Sequence, residues 1–491
     1  LEIQLTSEIK ISRPQNEALH STKQRILALA GQGGGKSHLA GLISSHFVIN
    51  FPKVKGFIGA NTYSQLSKST LDRVFNVWKD TFGWVKGKQY VVDIIPPPSF
   101  KRLHPALKSY ENTISFNNGA LIFTASLDNY KAIDGTQFTW AILDETKDTK
   151  EEAVKEVVTG RLREQGLWVK DGFIYDKEVD GSEAWNPLYI LTSPAKVYWI
   201  NEWFELSDKY EEISKRIFSK TDYFSLETKD KHVVIYSAYH NEDNLPKNFI
   251  EQRKSDLAGS QNLIEMLIYG SPIAKAGGEM FNSFQRLKHV KPVTVNKDLP
   301  IHVSLDFNVV PYISMICCQI EKVENKYKVK LFDEFALSSP HNKTESLCQH
   351  LERKYLIGSK QTVFYYGDAS GKNQSTVSIE HNYDILERVL RRYLNANSKR
   401  VLRKNPSVVG SRDFCNKIFE DGFPTIEIEI DPKCKNLILD LEFLKESPDG
   451  GKLIEKATDK NTGQVYEKFG HMSDCLRYLL ISAFKSYYKN A

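Results

Sequence analysis

The chain has 491 residues, 66 Lys and Arg against 61 Asp and Glu for a formal net charge of +5, and 41% hydrophobic residues. That length predicts about three domains, and the ordinary globular balance excludes a disordered or fibrous chain. The six cysteines (Cys317, Cys318, Cys348, Cys415, Cys434, Cys475) all fall in the C-terminal half with no C-x-x-C pair, which excludes a zinc ribbon or disulfide framework and predicts a reducing compartment. No signal pattern or long apolar run stands out, "PYISMICCQI" being too short to span a bilayer, and Leu1 in place of Met points to a trimmed or tagged chain.

The first marked element is "QRILAL", an apolar strand that runs into "AGQGGGKS" and then the helical "SHLAGLISSHFV". Strand, glycine loop and helix in that order predict a phosphate-binding loop. Backbone N–H groups across Gly31, Gly33, Gly34 and Gly35 curl round the β-phosphate at the positive end of the helix. Lys36 reaches the β/γ-phosphates, and the Ser37 hydroxyl ligates Mg²⁺. The pattern G-x-x-x-x-G-K-[ST] has Ala30 at its first position, the smallest departure available.

A second apolar strand, "TWAILDET" (139–146), ends in two acids. Asp144 is placed to bind Mg²⁺ through water, and Glu145 to orient or deprotonate the attacking water. "VVTGRLREQG" follows, with Arg161 and Arg163 as candidate arginine fingers for the bound nucleotide or a neighbour's. "PLYILTSPA" (187–195) is another strand, stopping at Thr192 and Ser193, hydroxyls suited to sensing the γ-phosphate; the bland alternative is a turn that Pro194 enforces. Alternating strands and helices predict a doubly wound parallel α/β sheet.

The second half opens with three consecutive strands over 301–336, the first ending at Asp306 and "VEN" turning between the second and third. A fourth strand, "TVFYYGDASG", ends at Asp368. The last amphipathic helix carries Asp474 in its first turn and an apolar stripe of Leu476, Leu479, Leu480, Ala483, Phe484 and Tyr487. Singly, these aspartates are turn and helix-start residues. Together they describe an RNase H-like fold whose carboxylates hold two Mg²⁺ or Mn²⁺ about 3.5–4 Å apart. His471 is a candidate proton shuttle, and Asp333 and Glu334 are spare acids. The run 388–404, "RVLRRYLNANSKRVLRK", contains Arg388, Arg391, Arg392, Lys399, Arg400, Arg403 and Lys404 and no acid. It reads equally as a phosphate-tracking DNA contact or as a solvated helix face.

Taken in order, the phosphate loop, the Asp-Glu strand, the hydroxyl-proline strand end and the aspartate triad resemble the large terminase subunit of tailed bacteriophages, over about residues 13–488. The resemblance implies an ATP- and Mg²⁺-dependent motor, with Mn²⁺ or Mg²⁺ in its nuclease site. Such a motor pumps double-stranded DNA through a portal protein into a capsid and cuts the concatemer. It further implies a small terminase subunit as partner, a homo-oligomeric ring on the portal with a monomer as the alternative when free, no membrane partner, and the host cytoplasm as its place of work. Matched residue by residue, Lys36 and Ser37 fall on the phosphate loop, Asp144 and Glu145 on the magnesium and catalytic acids, Thr192 and Ser193 on the coupling motif, and Asp306, Asp368 and Asp474 on the nuclease triad. Gln15 falls where the family places an adenine-reading glutamine. Two departures stand out: many members have an Arg or Lys early in the loop, and "AGQGGG" has none; "KAIDGTQ" before the second motif also lacks arginine. Arg161 or Arg163 then becomes the expected finger. Expected domains are a P-loop ATPase over 1–231, a connecting or lid region over 232–290, and an RNase H-like nuclease over 291–491, with 290–300 as linker. The runner-up is a DNA-repair or recombination ATPase-nuclease, which should carry helicase motifs that are not seen; a mere DNA-binding scaffold fits two acidic sites poorly.

Overall fold

A computed structural model describes residues 9–133, 135–194, 198–258, 261–272, 278–369, 381–423, 425–458 and 463–489. The chain forms two compact units, Leu1–Ala276 and Gly277–Ala491.

The first unit is built on strands β1 (Arg25–Ala30), β2 (Lys55–Ala60), β3 (Tyr90–Val92), β4 (Thr113–Phe116), β5 (Leu121–Ser126) and β6 (Trp140–Asp144). A small antiparallel sheet of β7 (Trp168–Lys170), β8 (Phe173–Tyr175) and β9 (Glu183–Ala184) follows. Then come β10 (Leu188–Thr192), β11 (Phe224–Glu227) and β12 (Lys231–Tyr236). The main sheet has the order β11-β12-β1-β10-β6-β2-β5-β4-β3. The six strands from β12 to β5 are parallel, as the alternating pattern predicts. β1 is continuously apolar because helices cover both faces of the sheet. Ile26, Ala28 and Ala30 enter one core with Phe47 and Trp78, whereas Leu27 and Leu29 enter the other with Ile190 and Ile213. In a parallel sheet the C-terminal strand ends all lie along one edge, where ligands bind. That edge collects the end of β1, Asp144 and Thr192.

β12 pairs with β1 from Arg25↔Lys231 to Ala30↔Tyr236, so the main sheet continues past position 231. Residues 238–258 and 261–272 then pack back on the first unit, with a small core of Ala238, Tyr239, Ile250 and Ile268.

The second unit has β13 (Ile301–Asp306), β14 (Ile313–Val323), β15 (Lys326–Leu337), β16 (Val363–Gly367) and β17 (Ile426–Ile430), ordered β16-β13-β14-β15-β17. β13, β14 and β15 form an antiparallel meander, and β16 joins β13 in parallel, which is the RNase H-like arrangement. The helix His471–Ala483 lies across β13, β14 and β16. The expected linker over 290–300 is instead attached to this unit. Val290 bridges Ile430, Lys291 N donates to Ile430 O at 2.9 Å, and Val293 N donates to Asp431 Oδ2 at 2.9 Å. Its Val293 and Val295 pack on the sheet's core, which explains why a segment of alternating valines is not free. All six cysteines are buried and none is in a disulfide. Among the described residues, no helix is long and apolar enough to cross a membrane.

Candidate functional site

At the C-terminal edge of the first sheet, β1 runs directly into the glycine loop, and α2 (Lys36–Asn50) starts from Gly35. Gly33 and Gly35 adopt φ of 82° and 80°, left-handed conformations that favour glycine. A Cβ on Gly31 would stand 2.1 Å from the Ile268 carbonyl oxygen, so close backbone approach fixes that glycine too. Ala30 is fully buried at the pattern's first position. The Lys36 ammonium is buried and donates to the carbonyls of Ala30 and Gly31, both at 3.2 Å. Burial pushes its pKa down, against the pull of Glu145 and Asp144.

Ser37 Oγ donates to Asp144 Oδ2 at 3.1 Å, so the loop and the acidic strand meet as their motifs predict. Thr70 Oγ1 donates to the same oxygen at 2.9 Å. Burial and then the neighbouring Glu145 push the Asp144 carboxyl up to about 6, despite these hydrogen bonds and Lys36. A buried carboxylate whose charge the protein does not fully offset, beside a hydroxyl oxygen, is a donor set that fits a hard divalent cation. Glu145 follows in the left-handed region at φ 50°, its N–H bonded to Leu191 O at 2.9 Å. Its Oε2 is buried and accepts no hydrogen bond, with Lys147 Nζ 3.6 Å away. Thr192 and Ser193 are buried at the end of β10, the strand between β1 and β6; Thr192 Oγ1 donates to Ser193 O at 3.0 Å.

Gln15, on α1 (Arg13–Leu19), touches the loop itself: Nε2 donates to Gly35 O at 2.9 Å, and Oε1 accepts from Ser12 N at 3.1 Å. Arg161 and Arg163 are placed elsewhere. Phe138 N donates to Arg161 O at 3.1 Å, which ties this segment to the start of β6. Asp144 ends that strand, about 20 Å away at the usual strand rise. The helix that carries Arg161 stops at that residue, so its backbone stands by the start of β6 and not by the Asp144 end.

Nothing local in the sequence marks Thr70, or the residues from 238–272 that reach the loop. Asn241 Nδ2 donates to Gly33 O at 2.7 Å, and Arg253 Nε donates to Gln32 Oε1 at 3.3 Å.

In the second unit, Leu305 pairs with Gly367, so Asp306 and Asp368 leave adjacent strands side by side. Asp306 Oδ2 accepts from Asn308 Nδ2 at 3.0 Å and lies 3.5 Å from His471 Nδ1. Asp368 Oδ1 accepts from Asn405 Nδ2 at 2.6 Å. Asp474, in the first turn of the last helix, is claimed by Lys452 and by Arg477. Burial raises its pKa, but these two cations outweigh that and hold it below the usual value. Burial, then the charges of Asp474 and Asp368 and finally that of Asp306, push the Tyr478 hydroxyl's pKa up against the pull of Arg477. Even so, among the described residues no three His, Cys, Asp or Glu side chains converge as a metal cluster. Asp306 and Asp368, at neighbouring strand ends, are oxygen donors of the kind a hard divalent ion takes; Asp474 as placed does not offer a free oxygen. The spare acids are structural: Asp333 accepts from Tyr355 Oη at 2.6 Å, and Glu334 accepts the N–H groups of Asn436 and Leu437 at a helix start.

The basic run is not one helix. The helix Asn382–Val389 ends inside it, a short turn follows, and residues 398–400 pair alongside β16 through Tyr365 N→Ser398 O and Arg400 N→Tyr365 O, both 2.9 Å. Arg388, Arg391, Arg392, Lys399, Arg400, Arg403 and Lys404 are all exposed. Arg388 reaches Glu345 at 3.2 Å and Lys399 reaches Glu387 at 2.8 Å. The run leads straight to Asn405 and so to Asp368.

The family described as "Terminase large subunit, T4likevirus-type, N-terminal" matches residues 27–288. Among solved structures, the large terminase of a thermophilic bacteriophage aligns at 15% identity over 96% of this chain and 99% of its own, with a TM-score of 0.37. The HK97 bacteriophage large terminase aligns at 11% identity over 98% and 96%, with a TM-score of 0.40. The Mn-bound nuclease domain of the bacteriophage SPP1 large terminase aligns at 14% identity over 40% of this chain and 96% of that domain, with a TM-score of 0.26. At TM-scores this low the likenesses carry no argument of their own, and no curated protein matches. The family match spans more than half of the chain and contains every nucleotide-site motif from the loop to Ser193. The chain belongs to the terminase large subunit family of tailed bacteriophages.

Proposed function

We propose that this chain is the motor subunit that packages viral DNA, using ATP hydrolysis to move double-stranded DNA into a procapsid and a metal-dependent endonuclease to cut the concatemer. The observation that carries the reading is the meeting of Ser37, Asp144 and Lys36 at one strand edge, with Glu145 beside them, its buried Oε2 free of hydrogen bonds and 3.6 Å from Lys147. Gly31, Gly33, Gly34, Gly35, Lys36 and Ser37 hold the phosphates of ATP, and Ser37 and Asp144 hold Mg²⁺. Bound there, Mg²⁺ offsets charge on the outer phosphates. Glu145 accepts the proton of the attacking water, and its left-handed backbone turns it out of β6. Thr192 and Ser193, between the loop strand and the acid strand, couple loss of the phosphate to movement. Arg161 and Arg163 remain as fingers only for a neighbouring subunit of a ring. Gln15 supports the loop from its back and reads adenine only if it leaves Gly35.

The first unit is the ATPase with its connecting segment, and the second is the nuclease. In the second, Asp306 and Asp368 hold a divalent ion, Mg²⁺ or Mn²⁺, which supplies an activated water for phosphodiester cutting. Asp474 joins them once it is released from Lys452. The exposed basic run draws the DNA backbone toward Asp368. Double-stranded DNA, a portal protein and a small terminase subunit are its partners, and the host cytoplasm its place of work.

The direct test is ATP turnover of purified full-length variants. Lys36→Ala should lose turnover, and Glu145→Ala should bind ATP yet hydrolyse it about 10²–10⁴-fold more slowly. Near-normal hydrolysis by Glu145→Ala rules out its role.

A further inference from the structure

The phosphate loop of this chain is short of positive charge. From Ala30 to Ser37 the one Lys or Arg is Lys36. ATP presents close to four negative charges, and charge on the γ-phosphoryl oxygens must be stabilised during transfer, the work that an arginine does in related chemistry. Lys36 and one divalent ion offset about three charges. Arg161 and Arg163 start from the far edge of the sheet, and Lys147 lies by Glu145.

Among the described residues, Arg253 is a cation that reaches the loop from outside it. It sits on the helix Phe249–Asp256, and its Nε donates to Gln32 Oε1 at 3.3 Å. Backbone N–H groups of such a loop cradle the α- and β-phosphates and its lysine reaches the β/γ pair, so a cation held at Gln32, on that loop, stands beside the phosphate chain. The helix is held there by more than this contact. Gln32 N donates to Leu267 O at 2.6 Å, and Asn241 Nδ2 donates to Gly33 O at 2.7 Å. Leu245 and Phe249 carbons lie 3.1 Å and 3.3 Å from where a Gly33 Cβ would be. The Arg253 side chain keeps 34% exposure, and its nearest acid, Asp256, is 3.9 Å away. One of five guanidinium donors is spent on Gln32, which leaves a fork suited to phosphate oxygens.

We propose that Arg253 is the second cation of the phosphate site, contacting the terminal phosphate of bound ATP from the 238–272 segment, with Gln32 positioning it. This rests on the ATP reading of the same site. The contact exists only with a triphosphate, so it distinguishes ATP from ADP.

The test is equilibrium binding of a non-hydrolysable ATP analogue and of ADP, each with Mg²⁺, by calorimetry on the full chain. Arg253→Ala should weaken the ATP analogue about 10- to 100-fold, as loss of a charge-assisted hydrogen bond does, and leave ADP within about twofold. Arg253→Lys should recover part of the loss, and Gln32→Arg in the Arg253→Ala background should recover most of it. Melting temperatures report whether each variant is folded. Equal weakening of both nucleotides in folded Arg253→Ala, or no weakening of either, overturns the assignment. A wild-type chain that binds both nucleotides keeps the site reading intact in that event. A wild type that binds neither overturns the site reading and this assignment with it.

Discussion

Glu145 shows at one residue how much of this site is order-dependent. A glutamate held at φ 50° costs about 1–3 kcal/mol, and the hydrogen bond from its N–H to Leu191 O helps to hold it there. The Asp-Glu pair was legible because an acid at a strand end, after a phosphate loop, has few other uses. Thr70 was not legible: it lies 74 residues from Asp144, and a lone threonine carries no spacing signal. Both groups are fully buried, so replacing the hydroxyl by a methyl removes one of the two hydrogen bonds to Asp144 Oδ2 and leaves that of Ser37. Thr70→Val should therefore lower unfolding free energy by about 1–3 kcal/mol in urea titration, and raise the Mg²⁺ concentration needed for ATP turnover. Unchanged stability and Mg²⁺ dependence would reduce Thr70 to packing.

At the scale of elements, periodicity served well where burial is one-sided or complete. β1, β6, β10 and the β13–β15 meander all stand where their apolar runs predict, and the helix His471–Ala483 carries Asp474 in its first turn. Periodicity carries no signal where tertiary partners decide. The helix with Arg161 ends by the start of β6, and 290–293 is held by Ile430 and Asp431. Asp474 looked like a free ligand because Lys452, 22 residues earlier, gives no hint of its proximity. The basic run was ambiguous between helix face and DNA contact. It is exposed, residues 398–400 bridge Tyr365 of β16, and Asn405 just beyond it bonds Asp368, which sets the run beside the proposed cutting site. Replacing Arg391, Arg392 and Arg400 together with Ala should weaken DNA binding and flatten its salt dependence. Each lost phosphate contact should lower the log–log slope by about 0.9. An unchanged slope makes the run a solvated surface.

For the whole molecule, the division near residue 277 has a consequence for where the second unit can be cut loose. Met280, Phe281 and Phe284 are fully buried, Met280 N donates to Leu444 O at 2.8 Å, and Arg286 pairs with Glu442 at 2.8 Å. Each buried apolar side chain contributes about 1.5–3 kcal/mol. A fragment of residues 277–491 should thus melt well above one of residues 291–491, as thermal unfolding would record; equal melting temperatures would show that 278–290 adds nothing. No composition or spacing signal marks this boundary, because the residues that hold 278–290 lie more than a hundred positions away.

The central claim is that one chain carries two separate sites, an ATP site in its first unit and a DNA-cutting site in its second. The most direct test measures ATP turnover and double-stranded DNA cutting side by side on full-length wild type, Glu145→Ala, Asp306→Asn, Asp368→Asn and Asp474→Asn, with Mn²⁺ or EDTA. Asp306→Asn and Asp368→Asn weigh most, because Asp474→Asn also removes the partner of buried Arg477. Glu145→Ala should lose ATP turnover and still cut; the aspartate variants should stop cutting and still turn over ATP; EDTA should silence cutting. Cutting that survives in all three aspartate variants, or folded variants in which both activities are lost together, would contradict the account.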